Sequence, residues 1–134
     1  MAVTRTERLP IRSGDDVVRV RQLVRTLSVE AGFGLVDQTK MVTAASELAR
    51  NTLDYGGGGD VLCQLLQEGR RRGLRLTFAD DGPGIPDVEK ALTDHYTTGN
   101  GLGLGLGGAK RLSNEFHIES AVGVGTRVTI ARWK

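Results

Sequence analysis

A carboxylate and a carboxamide lie four residues apart in a stretch with helical spacing of its apolar residues. Glu47 and Asn51 therefore project from the same face of a predicted helix, one turn apart. Together they could hold a hydrated Mg²⁺ ion, which prefers oxygen ligands in an octahedral shell. The carboxylate could instead orient a nucleophile and accept its proton. Taken alone, the pair is equally compatible with an exposed polar helix face, which is the usual place for Glu and Asn.

A second carboxylate stands at the end of an apolar strand and is followed by glycines. Asp80 closes the run LRLTFAD, and Gly82 and Gly84 come directly after it. A carboxylate in this position can accept a hydrogen bond from an exocyclic amine such as that of adenine. The two glycines let the backbone turn and lie close to a flat ring. The alternative is a plain turn, since Asp-Gly-Pro-Gly is strong turn chemistry in any protein.

A glycine-rich run, GLGLGLGG at residues 101–108, leads into a predicted helix. Small residues there let backbone N–H groups approach phosphate oxygens, and the helix N-terminus adds a favourable dipole. The spacing formally matches a dinucleotide fingerprint, but no strand precedes it. It is not a Walker A loop either, because Lys110 is followed by Arg111. A flexible linker is the remaining alternative, and the regular Gly-Leu alternation argues against it.

Two further positions carry weaker signals. Thr126 begins the last predicted strand, where its hydroxyl could touch the adenine edge, although an ordinary strand threonine is an equal alternative. His95 and His117 have no neighbours at metal-ligand spacing, so neither is assigned to a metal.

Length and composition predict one domain over residues 1–134, in the cytoplasm. The single cysteine, Cys63, lies among apolar residues and is expected to be a buried thiol. No apolar run approaches the roughly 18 residues of a membrane span, and the first residues lack a signal-peptide core. Arginines cluster at residues 19–25 and 70–72, but aromatic residues make up only 4% of the chain. Nucleic-acid binding is therefore not expected, and solvated surfaces or protein contacts are favoured.

Periodicity and turn signals predict an α+β fold. It is a two-layer sandwich in which a mixed, mostly antiparallel sheet carries helices on one face. The hairpin between the second and third strands is expected to contain Gly69, the arginine triplet and Gly73 in its turn. The predicted strands cover residues 3–12, 60–68, 74–80, 116–121 and 126–133, and the predicted helices cover residues 15–31, 36–55 and 104–114.

These motifs, in this order, resemble the GHKL superfamily of ATP-binding domains, the Bergerat fold. AASELARN at residues 44–51 is similar to its N box, DDGPG at 80–84 to its first glycine box, and GLGLG at 101–105 to its second. The loop at about 86–100 would then be the ATP lid. Within the superfamily the chain looks most like the small serine/threonine kinases that switch partner proteins in the bacterial stressosome pathway.

The resemblance implies a role for each motif residue. Asn51 would bind Mg²⁺, and Glu47 would be the catalytic residue that activates or orients the acceptor hydroxyl. Asp80 would read the adenine amine, with Thr126 in support. The remaining nucleotide-binding residues are expected to be Gly82, Gly84 and Ile85 around the base, and Gly101, Leu102, Gly103, Leu104 and Gly105 around the phosphates.

The resemblance also implies a function. An ATP- and Mg²⁺-dependent protein serine/threonine kinase would phosphorylate STAS-domain scaffold and antagonist proteins, and would then activate a PP2C-type phosphatase. Two alternatives stay open. One is an anti-sigma factor of the same fold, which binds and inhibits a sigma factor. The other is a non-catalytic binding module gated by ATP, for which Glu47 would be unnecessary.

Overall fold

The computed structural model describes residues 1–92 and 105–134. Within these residues, strands and helices follow one another in the order that the sequence predicts. The strands are β1 (Ala2–Ile11), β2 (Gly59–Glu68), β3 (Arg71–Asp80), β4 (Glu115–Ala121) and β5 (Gly125–Trp133). The helices are α1 (Gly14–Glu30), α2 (Leu35–Asp54), α3 (Val88–Ala91) and α4 (Leu106–Leu112).

The five strands form one sheet in the order β1-β2-β3-β5-β4. Every pairing among the described strands is antiparallel, so the sheet is not mixed, although the α+β class is confirmed. The last strand along the chain, β5, inserts between β3 and β4. This order places the end of β3 directly beside the start of β5, where Asp80 pairs with Thr126.

Capping and helix-breaking residues set the ends of the two long helices. Ser13 caps α1, its hydroxyl oxygen accepting the Asp16 N–H at 3.3 Å. α2 ends at Asp54, and its C-cap Tyr55 is followed by four consecutive glycines that cannot sustain a helix. α1 packs against α2, and both cover one face of the sheet.

The core lies between this helical layer and the sheet, as the alternation in the strands requires. Its largest fully buried side chains are Phe78, Ile11, Leu27, Met41, Leu48, Leu74, Leu76, Ile130, Val20, Val24 and Val61. Cys63 belongs to this core, and burial raises the pKa of its thiol to about 12. The prediction of a buried thiol is thus confirmed. No helix in the described part of the chain is both long and apolar enough to cross a membrane.

Several element boundaries differ from the sequence prediction. The β2–β3 turn consists of two residues, since Arg71, Arg72 and Gly73 belong to β3. The extension continues the ladder with β2, in which Arg72 pairs with Gln67 and Arg71 with Glu68. On the other side the Trp133 ring covers Gly73, and the Arg71 guanidinium lies 4.8 Å from the ring centroid. The third predicted helix is shorter than residues 104–114 and spans Leu106–Leu112. Of the predicted lid, residues 86–92 are described and include the short helix α3, whereas residues 93–100 lie outside the described part.

Candidate functional site

A pocket opens at the end of the sheet where β3 stops and β5 begins, under the C-terminal half of α2. Its cavity is small in this structure, about 20 Å³. The lining is mostly apolar with a few polar groups, which is typical of a small-molecule site. The lining residues are Leu48, Asn51, Thr52, Tyr55, Phe78, Asp80, Ile85, Leu106, Thr126 and Val128.

The carboxylate of Asp80 stands half-buried in this pocket. It accepts the Gly82 N–H at 2.9 Å and also the backbone N–H of Thr126. Burial raises the pKa of Asp80, and these two hydrogen bonds oppose the shift without cancelling it. A strong acceptor with incomplete hydrogen bonding therefore faces the pocket, and it can take a hydrogen bond from a ligand amine.

The loop after Asp80 requires its glycines. Gly84 has φ +77, and a Cβ on it would lie 2.2 Å from the Ala121 carbonyl oxygen. A Cβ on Gly82 would lie 2.7 Å from the Gly56 backbone. The Tyr55 hydroxyl donates to the Gly84 carbonyl at 2.8 Å, which ties the end of α2 to this loop. The loop is thus held close against two neighbouring segments.

A serine on β4 joins this loop to the start of β5. The Ser120 hydroxyl oxygen accepts the Ile85 N–H at 2.7 Å and lies 2.8 Å from the Thr126 hydroxyl. Sequence reasoning expected the Thr126 hydroxyl at the adenine edge and did not single out Ser120. Thr126 does line the pocket, but its hydroxyl is already engaged by Ser120.

The pair on α2 is divided between the pocket and the surface. Asn51 is half-buried and lines the pocket, whereas Glu47, one turn earlier, is exposed. Glu47 lies against the start of α4, since a Cβ on Gly105 would be 2.5 Å from its Oε2 atom. Gly105 caps α4 with φ +62, a conformation that suits glycine. The structure therefore places a carboxylate beside the glycine that begins α4, and a carboxamide in the pocket one turn farther along α2.

The other end of α4 is anchored by an arginine on β5. Arg132 donates to one carboxylate oxygen of Asp37 from two nitrogens, at 2.9 and 3.2 Å. It also donates to the Leu112 carbonyl at 2.9 Å. A helix of seven residues has little stability of its own, so these contacts decide where it lies. The anchor matters to the site because Leu106, at the start of α4, lines the pocket.

The structure brings most predicted site residues together. Asn51, Asp80, Ile85 and Thr126 line one pocket, and Gly82, Gly84, Gly105 and Glu47 border it. Gly101, Leu102, Gly103 and Leu104 lie outside the described residues. Sequence reasoning missed Leu48, Thr52, Tyr55, Phe78, Leu106, Ser120 and Val128. The helical spacing of Leu48, Thr52 and Tyr55 with Asn51 was the signal that could have found three of them.

Comparisons with known proteins agree with this geometry. The profile of the histidine kinase-, DNA gyrase B- and HSP90-like ATPases matches residues 36–134. The chain is 44% identical over 118 residues to the serine/threonine-protein kinase RsbT of Bacillus subtilis, covering 88% of this chain and 89% of that one. It is 30% identical over 99 residues to an anti-sigma F factor of Clostridium novyi, covering 70% and 69%.

Solved structures show the same fold. The RsbU and RsbW domains of a Mycobacterium tuberculosis protein match with a TM-score of 0.65 at 20% identity; the match covers 96% of this chain and about a third (32%) of that one. The mycobacterial sensor histidine kinase MprB matches with a TM-score of 0.57 at 18% identity, covering 96% and 97%. The chain belongs to the histidine kinase-, DNA gyrase B- and HSP90-like ATPase family (GHKL), as a protein serine/threonine kinase.

Proposed function

We propose that this chain transfers the γ-phosphoryl group of ATP to a serine or threonine of STAS-domain scaffold and antagonist proteins in a bacterial stress-response partner switch. Once released by phosphorylation of these partners, it would bind and activate a PP2C-type phosphatase, in the cytoplasm. The observation that carries the kinase part is the placement of Glu47 and Asn51, one turn apart on α2, at the mouth of the pocket that holds Asp80. The similarity to RsbT supports the partner-switching part.

The apolar part of the pocket suits a nucleotide base. Asp80 would accept a hydrogen bond from the adenine amine, and the ring would lie against Ile85 and the loop of Gly82 and Gly84. Tyr55 and Ser120 would keep that loop in place through their hydrogen bonds to it. Binding of the base would thus orient the phosphates toward Asn51 and the start of α4.

The residues present also suit Mg²⁺. Among residues 1–92 and 105–134, no group of three or more His, Cys, Asp or Glu side chains could hold a metal by itself. Mg²⁺ usually keeps several waters and is bound by few protein oxygens together with substrate phosphates, so the carboxamide oxygen of Asn51 would be the protein ligand here. When bound, the ion neutralises charge on the phosphates. Phosphoryl transfer depends on such neutralisation and on positioning more than on covalent chemistry.

Glu47 is suited to act on a hydroxyl that arrives from outside. It is exposed, so a protein substrate can reach it, and it stands one turn from Asn51. Its carboxylate would accept a hydrogen bond from the acceptor hydroxyl and align that oxygen with the phosphoryl group.

The test is transfer of labelled γ-phosphate from ATP to purified STAS-domain proteins of the same organism. Wild type should label them. Glu47→Gln, which keeps the shape of the side chain, and Glu47→Ala should both abolish transfer while leaving the dissociation constant for ATP within about twofold. Undiminished transfer in either variant would refute the role of Glu47.

A second candidate is an anti-sigma factor, which the similarity to anti-sigma F factors favours. Absence of labelling with ATP still bound, together with retention of a sigma factor by the immobilised chain, would replace the kinase proposal with this one. ATP binding with neither activity would leave a non-catalytic binding module gated by ATP.

A further inference from the structure

One exposed surface leads directly to Glu47 from the start of α2. Val36, Lys40, Thr43 and Glu47 follow one another at helical spacing on the outer face of this helix. Val36 is 67% exposed, which is high for an apolar side chain on a helix, and Thr43 is exposed as well. Lys40 is half-buried and Glu47 is exposed, and none of the four belongs to the core, so this face of α2 is open to a partner.

α4 borders this face of α2. Its first residues lie against Glu47, and its last residue, Leu112, shares the Arg132 side chain with Asp37 in the first turn of α2. The two helices therefore run antiparallel, side by side. The exposed residues of α4 are Lys110 and Arg111. We call the four residues of α2 together with these two the α2–α4 surface.

The charges of this surface are unbalanced. Lys40 and Lys110 are two positive charges that form no ion pair with any of the described residues. The neighbouring Asp37 is already held by Arg132 at 2.9 Å. Glu47 is then the carboxylate left on the α2–α4 surface, at its end nearest the pocket. A complementary partner segment would be acidic, with an apolar side chain to cover Val36.

We propose that the α2–α4 surface docks the acidic segment that flanks the acceptor hydroxyl of the substrate protein. This inference rests on the kinase function proposed above, in which that hydroxyl reaches Glu47. Lys40 and Glu47 are seven residues apart, which is about 10 Å along a helix. An extended chain covers that distance in about three residues. The acidic residue read by Lys40 therefore lies about three positions from the acceptor, and an apolar residue about two positions farther meets Val36.

Steady-state phosphoryl transfer from saturating ATP to a purified STAS-domain protein tests the proposal. Lys40→Glu and Lys110→Glu should each raise KM for the protein substrate about tenfold or more. The kcat and the dissociation constant for ATP should change less than about twofold. Arg21→Glu is the matched control, because it makes the same charge change at an exposed position of α1, away from this surface. It should leave KM within about twofold, and thermal melts should show all three variants folded.

Charge reversal on the substrate completes the test. Replacing its acidic residue near the acceptor by Lys should raise KM for wild type and restore transfer by Lys40→Glu. An unchanged KM in both lysine variants, or an equal rise in Arg21→Glu, would overturn the docking surface while the kinase function stands. Loss of phosphatase binding in Lys40→Glu with normal transfer would assign the surface to the phosphatase and also overturn the proposal. A wild type that binds ATP but labels no STAS-domain protein would overturn the proposed function itself.

Discussion

Replacing Asp80 by Asn separates nucleotide recognition from folding. In the proposed binding mode the carboxylate accepts a hydrogen bond from the adenine amine, while it also accepts the N–H groups of Gly82 and Thr126. The carboxamide of Asn presents one acceptor oxygen and one donor group, so it cannot serve all three donors. A hydrogen bond to a charged acceptor contributes about 1.5–3 kcal/mol. We therefore expect ATP to bind about 10- to 100-fold more weakly, as measured by isothermal titration with Mg²⁺ present.

The effect of Asp80→Asn on folding stability should depend on pH. Burial raises the pKa of Asp80, so the folded chain holds this proton more tightly than the unfolded chain does. The contribution of this group to stability is therefore fully present below the ordinary pKa of an aspartate and is lost as pH rises through the raised value. Wild type should lose stability relative to Asp80→Asn as pH rises from about 4 toward neutral. Thermal unfolding without nucleotide, followed across this range, measures the difference.

The matched control is Asp81→Asn, the same change at the exposed neighbouring carboxylate. It should leave ATP affinity within about twofold. The reasoning fails if Asp80→Asn also binds ATP within twofold of wild type. It fails equally if the Asp81 variant loses as much affinity, since the loss would then come from removing any negative charge near the pocket and not from one hydrogen bond.

Two further substitutions test the supports of the site. Arg132→Gln removes the hydrogen bonds to Asp37 and to the Leu112 carbonyl, and breaking a buried pair costs about 3–5 kcal/mol. Because the two side chains are 14% and 34% exposed, we expect about 2 kcal/mol, a fall of roughly 5–10 °C in Tm, and weaker ATP binding. Gly84→Ala places a Cβ 2.2 Å from the Ala121 carbonyl oxygen at φ +77. It should abolish measurable ATP binding and cost more than the roughly 1–2 kcal/mol of the backbone conformation alone, measured by urea unfolding.

Each of these substitutions has a control in the chain. Arg8→Gln breaks the exposed pair with Asp60, whose side chains are 62% and 39% exposed, and should change Tm by no more than about 2 °C. An equal fall in both arginine variants would contradict the anchoring role of Arg132. Gly57 has φ +75, so Gly57→Ala carries the same backbone cost as Gly84→Ala. No atom lies within 4 Å of the new Cβ at that position. If Gly57→Ala destabilises as much as Gly84→Ala, the contact with Ala121 is not the cause.

Local sequence determined the helices and strands. It also determined the relative placement of side chains that lie on the same helix or strand. The spacing of apolar residues defined α1 and α2, and it placed Glu47 and Asn51 on one helix face because a turn holds 3.6 residues. The four glycines after Tyr55 ended α2, and alternation defined the strands. The same local pattern indicated Asp80 as a candidate site residue, since it ends an apolar strand and precedes a turn.

Element boundaries that depend on a neighbouring strand could not be read locally. The arginines after Gly69 were expected in a turn because charged residues next to glycine favour one. They extend β3 because Arg71 and Arg72 continue the pairing with β2, and Trp133 covers Gly73 from the strand on the other side. Contacts with neighbouring strands thus outweighed the local preference.

Only the tertiary structure determined how the site is assembled. Ser120 reaches Ile85 across 35 positions, and Tyr55 reaches Gly84 across 29. Arg132 reaches Asp37 across 95 positions. The contacts of Ser120 and Arg132 depend on β5 inserting between β3 and β4. No local pattern encodes this strand order, because alternation is the same in a central strand and in an edge strand. The sequence alone therefore predicted which residues would carry the chemistry, and the strand order decided which residues hold them in place.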